Sequence, residues 1–440
     1  MPSIGSHGEI LRATVFHTPR NPFFESGALE WYHDGALLIR DGRIAACGDY
    51  TAIRAGHPDA KTRDLRGGFL IPGLVDVHVH FPQLRVLGSF GSSLLDWLER
   101  CALPEEARMK DPGYATEIAR EFIGALASNG TTSAMVFGAH FPAATEALFE
   151  AAQLRGLRIA AGLVLSDRFL RSDLLIDADA AYRESTALIN KFHNRGRLLY
   201  AVTPRFALSA SEAMLEVCSA LRREHTGLRF HTHLNENLDE VAEVRKAFPW
   251  ASDYFAVYER FALCGRGAVL AHDVHPTDGE LERLAATSTT IAHCPSSNAS
   301  LASGVFPMQR HIDARVPFAL GTDVGAGIGF SILKEAIEAY LMQRVAQAPL
   351  RLHAAQLLYL ATKAGASAMA LDQETGDFEP GKSADFVYLR PCTETPLASV
   401  IDRAEDPERI LGALFTLAGA EAIREVRVGG TVVYETSAPL

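Results

Sequence analysis

Leu74-Val75-Asp76-Val77-His78-Val79-His80 is an apolar, β-branched run broken at alternate positions by polar side chains. In a strand, His78 and His80 stand one pleat apart on one face and point the same way. Strand-like apolar runs follow at Thr131–Phe137, Leu157–Leu165, Leu198–Val202, Leu228–Leu234, Ala268–Ala271, Thr289–Ala292 and Val316–Leu320. Such near-continuous apolar character marks strands buried on both faces. Segments with helical spacing lie between them, among them Tyr114–Ala127, Thr145–Leu154, Ala180–Phe192, Glu212–Arg223 and Leu281–Ala286. Eight strands alternating with helices predict an α/β chain folded as a (β/α)8 TIM-type barrel. A doubly wound open sheet is the alternative. No Gly-x-Gly-x-x-Gly follows the first run, however, and the glycines of Gly321–Gly329 come only after the eighth.

The chain ends read differently. Asp41-Gly42 between Ala36–Arg40 and Arg43–Cys47, and Gly429-Gly430 between Ile423–Val428 and Thr431–Tyr434, are hairpin turns. Residues 1–70 and 380–440 are therefore expected to be β and to flank a barrel at 71–379. Phe81–Pro112 is too long for an ordinary βα loop and is expected to cover the barrel mouth or supply an interface. The 440 residues include 53 acidic and 42 basic ones, so there is no general basic footprint of a nucleic-acid binder. No 18-residue apolar stretch suits a membrane helix. Met1–Arg20 lacks a signal-peptide core, and the scattered cysteines fit free thiols in a reducing compartment, so a cytoplasmic protein is expected.

The chemistry lies where the apolar strands end. The first run ends in His78 and His80, the fifth in His231-Thr232-His233-Leu234-Asn235-Glu236, the sixth in His272, and the eighth in Thr322-Asp323. These are the carboxyl ends of barrel strands, where barrel active sites are built. Imidazoles with one carboxylate suit Zn²⁺, with Fe²⁺ as the alternative. A metal there would lower the pKa of bound water toward ~7. Glu236 would stand beside it and move protons, or else serve as a carboxylate at a helix start. His231, one pleat deeper than His233, reads as a hydrogen-bonded core residue; His275 and His293 read as supporting residues.

Together these residues resemble the amidohydrolase superfamily. Pro72-Gly-Leu-Val-Asp-Val-His78-Val-His80 matches its opening signature, and Pro380-Gly-Lys-Ser-Ala-Asp385-Phe-Val its closing phrase. Further motifs look like those of its guanine deaminases: His78-Val-His80-Phe-Pro-Gln83, Thr203-Pro-Arg205-Phe206, His231-Thr-His233-Leu-Asn-Glu236-Asn, His293-Cys-Pro-Ser-Ser-Asn298 and Gly321-Thr-Asp323-Val-Gly325. The resemblance implies that the β segments 1–70 and 380–440 together form one small, split β-sandwich domain. It implies a metal site of His78, His80, His233, His272 and Asp323, with one Zn²⁺ per subunit. It also implies that Glu236, Asp323 and His272 carry the catalysis, His272 either as a ligand or by orienting the water. Gln83, Arg205 and Phe206 would hold the base, with His80, His233, Glu236 and Asp323 touching it and Trp97 in the lid. Read singly, Gln83 also fits a loop residue, Arg205 an ion-pair partner and Phe206 a core residue. Two positions depart from the family: Phe81 stands where Tyr is frequent, and Leu103-Pro104-Glu105-Glu106 where Phe-Pro-Thr-Glu is common.

Val202-Thr203-Pro204-Arg205 carries no lysine where binuclear relatives bridge two metals, so a single metal and a deamination are favoured. The implied reaction is hydrolysis of guanine to xanthine and ammonia by water, in purine breakdown, with a homodimer as the assembly. The rivals are deaminases of a pterin, an adenosine-like purine or a triazine, and more remotely a non-catalytic scaffold.

Overall fold

Every residue of the first barrel strand, Leu74–His80, is buried. The computed structural model describes residues 8–436; the first residues of the Met1–Arg20 stretch and the last of the 380–440 segment lie outside the described residues. From Leu74–His80 the parallel ladder runs in chain order through Thr131–Phe137, Arg158–Gly162, Leu198–Pro204, Arg229–Leu234, Ala268–His272, Thr290–His293 and Phe318–Leu320. Two hydrogen bonds then bring its ends together: Asp323 N–H donates to His78 O at 2.8 Å, and His80 N–H to Val324 O at 2.9 Å. This edge-to-edge contact makes the sheet a barrel and removes the open doubly wound alternative. The helices pack outside it. Pro112–Ser128, for example, starts on the Asp111 cap, which accepts from Tyr114 N–H, and buries Ile118, Phe122, Ile123 and Leu126.

The glycines of 321–329 serve the closure. A β-carbon on Gly321 would lie 2.8 Å from His78 Cβ, and one on Gly325 would meet Gln83 O. The run lets the exit of the eighth strand lie directly on the first.

Both chain ends contribute to one seven-stranded sheet. Glu9–His17 pairs antiparallel with Glu30–Arg40 and parallel with Lys61–Pro72. Arg43–Asp49 forms one edge. On the other side, Phe386–Leu389, Ile423–Val428 and Thr431–Glu435 add to Lys61–Pro72 in turn. Both hairpin turns have positive φ at their two central residues: 49° and 74° at Asp41 and Gly42, 56° and 73° at Gly429 and Gly430. The turns meet. Ala384 N–H donates to Gly42 O at 2.8 Å and Gly430 N–H to Ala384 O at 2.9 Å, and a β-carbon on Gly42 would run into Gly429 O. Arg158, which opens the third barrel strand, reaches this sheet, with Nη2 3.2 Å from buried Asp385 and Nη1 2.8 Å from Glu374.

Phe81–Pro112 lies over the barrel mouth. It holds a 3₁₀ turn (Phe81–Val86), a short helix (Leu94–Trp97), a π turn (Leu98–Ala102) and a second helix (Leu103–Arg108). Val86, Leu94, Trp97 and Leu103 form an apolar cluster with Leu174, Leu301 and Ala326, which lie beyond the third, seventh and eighth strands. Among the described residues, no helix is long and apolar enough to cross a membrane.

Candidate active site

Strand alternation brings His78 and His80 together, their Nε2 atoms 3.2 Å apart. Asp323 Oδ1 lies 3.2 Å from His78 Nε2 and 3.3 Å from His80 Nε2. Ligand atoms of His78, His233 and His272 also fall within 4.8 Å of one another, as do those of His78, His80 and Asp323. The backbone turns left-handed where strands end, with φ of 80° at His272 and 47° at Asp323, which aims these side chains inward.

The imidazoles are anchored from behind. His233 Nδ1 donates to Arg205 O at 2.6 Å, His272 Nδ1 to Asn298 Oδ1 at 2.9 Å, and His78 Nδ1 lies 2.7 Å from His231 Nε2. A proton on Nδ1 leaves the Nε2 lone pair facing the centre. His272 Nε2 is buried there without a hydrogen-bond partner. Burial lowers His78, takes His80 to about 4, and drops His233 well below its ordinary range, so these rings are neutral. Burial opposes charge on Asp323 too, but its Oδ1 faces the His78 and His80 Nε2 atoms, and a positive charge at those nitrogens, a ring proton or a bound cation, holds its carboxyl well below the usual range. Neutral imidazoles converging with an ionised carboxylate, one ring nitrogen lacking any partner, form a donor set that fits a divalent metal.

Glu236 adjoins this cluster, its Oε2 3.4 Å from His272 Nε2 and its Oε1 3.5 Å from Ser303 Oγ. Burial, then Glu240 and Asp323, push its pKa well above the carboxylate range. The helix-start role belongs to another residue. The helix Leu238–Ala247 is capped by Asn237, and Glu240 closes the capping box. Glu236 is left free to face the cluster. Ser297 Oγ donates to Asp323 Oδ2 at 2.6 Å, and His275 Nε2 to Ser303 O at 2.8 Å. His293 stacks on Phe306, its two ring nitrogens unpartnered.

Next to His80 lies a second buried network. Gln83 Oε1 accepts from Gly325 N–H at 3.1 Å, and its Nε2 donates to Glu106 Oε1 at 2.7 Å. Arg205 Nη1 donates to both Glu106 oxygens, at 2.8 and 2.7 Å, and His140 Nε2 lies 3.1 Å from Oε2. Burial works against the Glu106 carboxylate, but Arg205 and His140 hold it below its ordinary range. Phe206 is buried, edge-on to Phe169 at 6.1 Å and to His233 at 6.5 Å.

The Amidohydrolase family pattern matches residues 69–433. The chain belongs to the amidohydrolase family. A further match, to an imidazolonepropionase-like composite domain of bacteria, covers residues 35–60 of this amidohydrolase. A Deinococcus radiodurans protein named a probable guanine deaminase is 51% identical over 98% of this chain and 99% of its own. The guanine deaminase of Escherichia coli is 40% identical, with 96% of each chain covered. Its solved structure superposes with a TM-score of 0.92 over 98% of this chain and 99% of that one. The guanine deaminase of C. acetobutylicum, solved with guanine bound in the active site, gives 0.88 at 26% identity, over 97% and 100% of the two chains.

The amidohydrolase thus brings His78, His80, His233, His272, Asp323 and Glu236 into one cluster, with Gln83, Arg205 and Phe206 adjoining it. Trp97 sits in the apolar cluster of the covering segment, and its buried Nε1 has no hydrogen-bond partner. The ion-pair reading of Arg205 is realised as well, through Glu106. Glu106 and His140 escaped the sequence reading. The one available signal was the last position of Leu103-Pro104-Glu105-Glu106, which coincides with the glutamate of the family's Phe-Pro-Thr-Glu.

Proposed function

We propose that this amidohydrolase is a guanine deaminase, converting guanine and water to xanthine and ammonia. The observation that carries the reading is one barrel mouth where buried imidazoles and the Asp323 carboxylate converge beside Glu236, a buried carboxyl group whose surroundings oppose its charge. Close relatives carrying that name over nearly the whole chain support it.

His78, His80, His233, His272 and Asp323 would hold the metal. A divalent ion held by them would supply water that loses a proton near neutral pH. Asp323 takes that proton as the water oxygen bonds to the ring carbon bearing the exocyclic amine. Glu236 gives its proton to the adjacent ring nitrogen. The C–N bond then breaks, the amine leaving as ammonia with the proton held by Asp323, and the new hydroxyl returns a proton to Glu236 as it becomes the carbonyl. Gln83 can donate to and accept from a base edge, Arg205 can donate to the guanine carbonyl, and Phe206 offers a ring face. His80, His233 and Trp97 complete the pocket in this reading.

The reading extends to one Zn²⁺ per subunit, with Fe²⁺ as the alternative; the nitrogen-rich donor set supports this. It extends also to a homodimer, to the cytoplasm and to guanine breakdown, on the strength of the family resemblance. Ultraviolet absorbance following guanine to xanthine is the direct test. Metal-replete protein is expected to turn guanine over, chelator-treated protein to lose the activity, and added Zn²⁺ to restore it. Metal-replete protein that leaves guanine unchanged would sink the proposal.

A further inference from the structure

We infer that Glu106 is the specificity-determining positioning residue of the base pocket: it fixes Arg205 and Gln83 in place and cancels the arginine charge, so that a neutral purine is taken in preference to an anionic one. The inference rests on the guanine deaminase reading.

Two adjacent acids on the helix Leu103–Arg108 take different partners. Glu105 is buried but pairs with Arg108 and Tyr114. Glu106 turns inward and is only 2% exposed. Its Oε1 accepts from Gln83 and Arg205, and its Oε2 from Arg205 and lies within reach of His140. Four contacts fill the lone pairs of a carboxylate, so Glu106 has none left for a substrate and acts through its neighbours. Of the guanidinium nitrogens of Arg205, Nη1 is tied to Glu106. Nε and Nη2 make no hydrogen bond among the described residues. Glu106 therefore holds one prong of the fork and leaves the other donors to the pocket.

The charge balance follows. A buried guanidinium without a counter-charge attracts anions strongly, because little solvent screens it. With Glu106 against it, the pair offers directed donors and no net charge. Gln83, held between Glu106 and Gly325, adds a neutral amide. Guanine is neutral near pH 7, whereas urate, a purine of similar shape without an exocyclic amine, is an anion. Selectivity between them is a difference of two affinities, and Glu106 acts on that difference.

The test compares the KM for guanine with the inhibition constant for urate. In Glu106→Gln, the urate constant relative to the guanine KM is expected to fall ~10-fold or more, with KM rising more than kcat falls. Glu106→Asp keeps the charge and should keep the wild-type ratio, even where its KM rises. Arg205→Gln leaves the carboxylate unpaired and should move the ratio the opposite way; with Glu106→Asp it carries the test if Glu106→Gln does not fold. An unchanged ratio in Glu106→Gln, or an equal shift in Glu106→Asp, overturns the inference while guanine turnover by the wild type leaves the function standing. Wild-type protein inert toward guanine overturns both.

Discussion

Glu236 and Glu240 lie four residues apart, and their surroundings give them different work. Glu240 is held by Tyr254 Oη at 2.7 Å and by the backbone of the helix start, a structural carboxylate. Glu236 has one weak contact, to Ser303, and otherwise faces His272. A carboxyl group whose burial favours its neutral form is a proton donor at neutral pH. Glu236→Gln keeps the volume and removes the acidic proton. It is expected to lower kcat by ~10²–10⁴-fold, with metal content by elemental analysis unchanged; kcat within a factor of a few of wild type would remove Glu236 from proton transfer. The histidines and Asp323 were legible in the sequence because each interrupts an apolar strand at its carboxyl end, where period-two geometry fixes which way a side chain points. Glu106 was not. It enters from a separate covering segment, where Leu103-Pro104-Glu105-Glu106 reads only as a departure from the family motif, and its partners Gln83, Arg205 and His140 lie far from it in sequence.

At the scale of elements, apolar runs placed the strands better than they placed their ends. Val316–Leu320 reads as one strand, but the strand begins at Phe318: Pro317 O still accepts from Ile291 N–H at 2.9 Å, while Pro317 has no N–H to carry the ladder further back. Leu157–Leu165 divides at Leu163 into Arg158–Gly162 and Val164–Leu165; both pair with Leu198–Pro204 in one register, but only the first also pairs with Thr131–Phe137, a difference that hydrophobicity does not encode. His17, the last residue of Glu9–His17, shows how one strand end is locked. Its Nδ1 accepts from Phe378 N–H at 3.3 Å, which requires an unprotonated nitrogen, and burial takes its pKa from 6.5 to about 4. A histidine lowered in the folded state contributes nothing adverse above pH 6.5, where both states are neutral. As pH falls from 6.5 toward 4, the unfolded chain gains a proton that the folded one does not, and stability drops. The drop amounts to about 3 kcal/mol when complete. His17→Asn keeps an acceptor and removes the titration, so its urea midpoint should fall less than that of wild type between pH 7 and 4.5. Parallel pH profiles would remove His17 from the acid response.

At the scale of the molecule, the barrel and the terminal sheet are joined by Arg158, Asp385 and Glu374. Asp385 also accepts from Thr375 Oγ1 at 2.9 Å and Gly429 N–H at 2.7 Å, so one carboxylate links barrel, return segment and hairpin. Arg158→Met leaves that carboxylate buried without its cation and should cost about 3 kcal/mol in chemical unfolding. Unchanged stability would mean that apolar packing alone joins the two parts. The terminal sheet has another consequence, for the order in which the protein is made. On the ribosome, the strands up to Lys61–Pro72 emerge early, yet the outer edge of Lys61–Pro72 has no partner until Phe386–Leu389 follows. The turn at Gly42 likewise waits for Gly429 and Gly430, about 390 residues later in the chain. While the barrel segments are made, the nascent chain therefore carries an unpaired strand edge, and the barrel is complete before the sheet that holds its two ends can close.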